Sequence, residues 1–141
     1  MHTNPNAKPT SADAMNFMKF MLGHGLSLNT VTTAMSQIAG EKTASGDRKW
    51  GRALVLDWMM WDVFAKTWKK RRPQFATFFA NSTAFLQHRY WRQMDPDSYQ
   101  VKPSEEDVRN YGSAIEDSYR HMDRIVGKAF DLVGPTGRIV L

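Results

Sequence analysis

Phe75-Ala76-Thr77-Phe78-Phe79-Ala80, set between Pro73 and Asn81, is the stretch on which the reading of the fold turns. It is short, aromatic and bounded by turn formers, which predicts a buried strand. Downstream, Ser104-Glu105-Glu106-Asp107 reads as a helix start, with Ser104 as the cap and the acids at the positive end of the dipole. That helix is expected to run to about Val133 and to bury Val108, Tyr111, Ile115 and Ile125 along its apolar face. Gly134-Pro135-Thr136-Gly137 breaks it, and Arg138-Ile139-Val140-Leu141 reads as the opening of a second strand. Strand, connector, helix and strand over 75–141 make a βαβ unit, whose strands run parallel and are covered on both faces. Two strands cannot hold a core of their own. The expected fold class is therefore α/β, predominantly helical in the residues present, with a parallel sheet that continues outside this chain.

The segment before Pro73 is helical in pattern. Residues 1–11 are polar, contain Pro5 and Pro9, and read as a tail. Asp13 can cap a helix through Leu22, and Ser27 or Asn29 a second one ending at Gly40. A long helix is expected from about Asp47 to Arg72, with Trp50, Leu54, Trp58, Trp61, Phe64 and Trp68 recurring at three- and four-residue steps. Such a stripe is more often core than a ligand platform. The chain thus divides into a tail (1–11), a helical insertion or cap region (12–72) and a partial α/β core (73–141).

Composition narrows the chemistry. Its 141 residues contain no cysteine, which removes disulfides, thiolate zinc sites and cysteine nucleophiles, so a transition-metal site needs His and carboxylates. Net charge is +5, with Lys66, Lys69, Lys70, Arg71 and Arg72 in one cluster. Cations at the end of a helix complement its dipole without any partner, so a nucleic-acid ligand is not expected from charge alone. No uncharged apolar run reaches the roughly 18 residues of a membrane span, and no secretory leader is evident, so the chain is expected to be soluble and cytoplasmic.

Of the four histidines, His2 lies in the tail, His24 sits between two glycines at a helix end, and His121 falls on a helix where an exposed or capping role is expected. His88 follows the expected strand, where ligands of parallel α/β folds gather, and the residues alone leave it open between structure and function. Asp95 and Asp97 flank Pro96 and read as turn formers. Phosphate loops, His-Glu-x-x-His, Gly-x-Ser-x-Gly and zinc-finger spacings do not occur.

Gln87-His88-Arg89-Tyr90-Trp91-Arg92, then Met94-Asp95-Pro96, then Tyr119 followed by Met122-Asp123-Arg124-Ile125-Val126-Gly127, then Gly134 and Arg138-Ile139-Val140-Leu141 form an ordered set. In that order and spacing it resembles part of the alkaline-phosphatase superfamily, in its type I phosphodiesterase and nucleotide-pyrophosphatase-like branch. The resemblance covers about half the chain. It implies a hydrolase of phosphate mono- or diesters, with a phosphate-ester small molecule as substrate and two divalent metals, commonly zinc, flanking a Ser or Thr nucleophile. It makes His88 a metal ligand. The family's Asp, four residues before that His, falls on Ala84, which leaves Asn81 and Thr83 as accessory polar candidates. The nucleophile and the remaining metal ligands are expected outside this chain, so the piece is expected to be inactive alone. Two other readings stand beside it: a helical interaction module using the aromatic stripe and the basic cluster at 66–72, and a degenerate, non-catalytic family member. Oligomeric state is not set by the sequence.

Overall fold

The structure is a computed structural model, and it describes residues 10–141. His2 and most of the expected tail lie outside the described residues. Among the described residues six α-helices follow in order: α1 Ser11–His24, α2 Leu28–Thr43, α3 Gly51–Arg71, α4 Ser82–Met94, α5 Glu105–Tyr111 and α6 Ala114–Val133, with a single 3₁₀ turn at Pro96–Ser98. Among the described residues there is no strand.

The expected α/β class is therefore wrong: the protein is all-helical, with no βαβ unit and no parallel sheet among the described residues. Phe75–Ala80 has no regular secondary structure, and nothing pairs with it. A strand exists only through a neighbour that accepts its backbone hydrogen bonds, and the second expected strand, at Arg138–Leu141, forms no ladder either. Instead the segment links α3 to α4 and inserts one side chain. Phe78 meets Trp61 edge-on at 5.4 Å and Phe64 at 5.3 Å, while Phe75 and Phe79 face outward.

The helix starts follow local chemistry. Thr10 caps α1 in a capping box with Asp13, Ser27 caps α2 through the Thr30 N–H, and Ser104 caps α5 through the Asp107 N–H. The long terminal helix expected from Ser104 is interrupted at Gly112-Ser113. There the Asn110 carbonyl accepts from Trp50 Nε1 at 3.1 Å, and Tyr111 stacks on Tyr90 at 4.6 Å. Gly25 ends α1 with φ 119°, a left-handed conformation that favours glycine. A Cβ there would also sit 2.8 Å from Lys66 Cβ, so the turn into α2 can lie close against α3.

α4 packs chiefly on α6, α2 packs on α3, and α3 joins the two pairs by touching α6 and α4. Leu86, Ala114 and Ile115 form the centre of the core, with Trp50, Leu54, Tyr90 and Met94 around them. The core is thus shared by residues from both sides of Pro73. No helix among the described residues is long and apolar enough to cross a membrane.

Candidate functional site

The residues singled out by sequence are not gathered into one site. Ser82 and Leu86 are the buried residues of α4, and at about 100° per residue His88 lies on the opposite side of the helix from Leu86, exposed to solvent. Asn81 is the residue before α4 and is exposed; Thr83 reaches the Ser118 carbonyl at 3.5 Å, a long contact. Among the described residues no group of three or more His, Cys, Asp or Glu could hold a metal ion. The resemblance places the other metal ligands outside this chain and leaves His88 as the one expected within it, so no chemical step is derived through a metal here. Asp95 and Asp97 do act in a turn, accepting from Ser98 and Lys102 respectively.

The sequence reading missed a buried polar joint. Asp57 of α3, Ser82 of α4 and His121 of α6 are 5 %, 2 % and 3 % exposed, too enclosed for a substrate to reach. Asp57 caps α4 from a neighbouring helix: its two carboxylate oxygens accept long hydrogen bonds from the Asn81 and Ser82 N–H groups, at 3.4 and 3.3 Å. This supplies what α4 lacks, since Asn81 makes no side-chain cap. His121 Nε2 lies 4.0 Å from Asp57, beyond hydrogen-bond reach, and neither that nitrogen nor Ser82 Oγ has a partner. Burial pushes the His121 imidazole below its ordinary pKa; Asp57 opposes the shift and Arg124 adds to it. The three residue types resemble a nucleophile–base–acid set, but Asp57 is occupied by backbone N–H groups and does not orient the imidazole. The arrangement is a joint between three helices. Asp57 could have been found from the sequence only as an acid interrupting an apolar helical stripe.

An accessible site lies between the C-terminal ends of α3 and α6. It is a groove of about 540 Å³, within the roughly 300–1,000 Å³ range of small-molecule sites. Trp61, Ala65 and Trp68 supply its α3 wall and Leu132 part of the α6 wall. Lys69, Arg72 and Lys128 line it, against Asp131 as the one acid. The stripe therefore has both uses: Trp61 is buried in the core, whereas Trp68, half-buried, shows part of its ring to the groove. Not all of the basic cluster is free for this role, because Lys66 donates to the Gly23 carbonyl at the end of α1, at 2.8 Å. Lys128 Nζ lies 5.6 Å from the Trp58 ring centre, a cation–π contact that holds it beside the groove. A second hollow, about 420 Å³ near Trp50, is lined by Arg48 and Arg109 against Glu106 and Asp117, and this balance of charge selects for no ligand sign.

No protein-family model, curated protein or solved structure matches the chain.

Proposed function

We propose that the chain is a helical binding module whose α3–α6 groove takes a nucleotide unit, a flat aromatic base carrying phosphate. The observation that carries this reading is the meeting of three cations, one acid and an indole wall in one open groove. Lys69, Arg72 and Lys128 offer charge-assisted hydrogen bonds to phosphate oxygens, and Arg72 can do so in bidentate fashion. Trp68 offers a face or edge to a base, a contact worth about 1–3 kcal/mol per base where stacking is complete. Cations at the end of α3 also neutralise the helix dipole, and the groove gives them a second use. A cytoplasmic setting, where phosphate esters are abundant, suits this chemistry.

The ligand can be a free nucleotide or one unit of a single strand. Titration of the protein with adenosine triphosphate and with a twelve-residue single-stranded oligonucleotide, followed by tryptophan emission, separates the two. A strand ligand binds more tightly than the mononucleotide, and its log K falls with log salt by about 0.7 per phosphate contacted. Comparable affinity for both points to the free nucleotide. Trp68→Ala and Lys69→Glu are each expected to weaken binding about tenfold or more, the equivalent of about 1.4 kcal/mol. Unchanged affinity in both variants, or no saturation by either probe at millimolar concentration, removes the groove as a nucleotide site.

A further inference from the structure

The helix α2 is turned the wrong way round for a monomer. It meets α3 through polar residues. The Ser27 N–H donates to Asp62 at 2.8 Å at one end; at the other, Gln37 donates to the Arg48 carbonyl at 2.7 Å and Arg52 holds Glu41 with two hydrogen bonds. Thr30 is its one buried residue. Val31 and Ala34 are half-buried, but its largest apolar side chains point elsewhere: Leu28, Met35 and Ile38 are 78 %, 60 % and 45 % exposed. On α3, Leu56 and Met60 are likewise 57 % and 53 % exposed.

These residues make one face. At about 100° per residue, Leu28, Met35 and Ile38 fall within about 80° of one another on α2, and Leu56 and Met60 within about 40° on α3. Each stripe lies about 100° from the edge where the two helices meet, in the same rotational sense. The pairings Ser27–Asp62 and Glu41–Arg52 show that α2 and α3 run antiparallel, so equal rotations bring both stripes to the same side. Asp57 and Trp61 of α3 turn instead toward α4, α6 and Phe78.

We propose that this α2–α3 face is the interface of a homodimer, in which two hairpins pack face to face as a four-helix layer around a two-fold axis. Surface area supports a large covered region. The chain exposes 10854 Å², whereas a compact monomer of 16.2 kDa exposes about 7,500 Å². Residues 1–9 could account for at most about 1,500 Å² of the excess, the full surface of nine unfolded residues. The remainder is spread over the whole chain, Phe17 and Phe20 of α1 and Phe75 and Phe79 included, and leaves room for the area each copy buries in an obligate dimer, on the order of 1,000–2,500 Å².

Charge selects a second copy as the occupant. Leu28–Gly40 contains no ionisable residue, and Ala53–Val63 contains only Asp57, which is buried, and Asp62, which is bound to the Ser27 N–H. Lys42 lies in line with this stripe at the far end of α2 and is exposed; a chain of net charge +5 repels its own copy over most of its surface, and the part of the face short of Lys42 is where two copies can meet at least cost. A two-fold interface requires a patch that tolerates itself, which a neutral apolar stripe does. A lipid-binding helix typically carries Lys and Arg along its polar face, and α2 has a single Lys42 near its end.

Sedimentation equilibrium of the full chain tests the proposal. A mass of twice 16.2 kDa at micromolar concentration is expected. Leu28→Lys and Met35→Glu, both at exposed positions, should weaken association about a hundredfold or more by burying an unpaired charge, with helix content by circular dichroism unchanged. Because the chain has no cysteine, Met60→Cys introduces a single thiol that should cross-link on oxidation, whereas Glu105→Cys on α5 should not. A monomeric wild-type chain sinks the proposal whether or not it floats with lipid vesicles or captures another protein. So does a dimer that persists in folded Met35→Glu, or equal cross-linking from the two thiols. Should the charged variants fail to fold, the wild-type mass and the thiol pair still decide.

Discussion

His121 carries an unusual burden for one side chain: it is buried, its Nε2 has no hydrogen-bond partner, and the nearest carboxylate is 4.0 Å away. Burial is the first cause of its lowered pKa. Because the folded value lies below the unfolded one, the unfolded chain binds the proton more readily, and stability falls as pH falls. The contribution is fully present above the ordinary imidazole value of about 6.5 and is lost on acidification through the folded value. A urea midpoint measured from pH 7.5 down to 5 should decline, and His121→Gln should flatten that decline. Glu41 titrates in a separate window. Held at about 2 by Arg52 and Gln37, it loses its contribution as pH falls from the ordinary carboxylate value of 4.5 toward about 2, so extending the series below pH 5 tells the two effects apart. None of this was legible beforehand. The sequence placed His121 on a helix but gave no sign that α3 and α4 would close over it, because burial depends on how three separate helices meet.

At the scale of elements, the starts of α2 and α5 were readable because their chemistry is local, whereas α1 is capped by Thr10 rather than by the expected Asp13 and α3 begins at Gly51 rather than near Asp47. Ser27 and Ser104 bond N–H groups three residues on, and Asp13 serves as the third residue of a box opened by Thr10. The segment Phe75–Ala80 was misread because strand preference is a statement about neighbours, and a run of aromatic residues fits a coil against a helix equally well. Its three phenylalanines distinguish the two arrangements. In a buried strand all three would be enclosed by a sheet covered on both faces. Here Phe78 packs on Trp61 and Phe64, whereas Phe75 and Phe79 are 82 % and 78 % exposed. Chemical denaturation should therefore show Phe78→Ala costing about 1–3 kcal/mol, with Phe75→Ala and Phe79→Ala within about 0.5 kcal/mol of wild type. The candidate site was half legible. The stripe and the basic cluster were both visible, but Lys128 joins them from a helix sixty residues further on, a juxtaposition that only the fold supplies.

The whole molecule separates its two surfaces by chemistry. Cations collect at the groove between the ends of α3 and α6, while the α2–α3 face is mainly apolar, with Lys42 at one end. If two copies share that face, folding and association are linked, and the thermal midpoint must rise with protein concentration. Scans at 2 and 200 μM should differ by several degrees for wild type, and Met35→Glu should abolish the dependence. Groove affinity is expected to stay unchanged in that variant, since Met35 is remote from the lining residues. The outcome expected is a dimer with two independent grooves.

Trp58 lies edge-on to His121, with ring centres 5.0 Å apart. The packing that encloses the imidazole thus sets an optical reporter beside it. A protonated imidazole accepts an electron from an excited indole, whereas a neutral one does so poorly. The share of emission that comes from Trp58 should dim as the acid form of His121 is populated, so the light the folded protein emits carries a record of a proton that no solvent-exposed group shares.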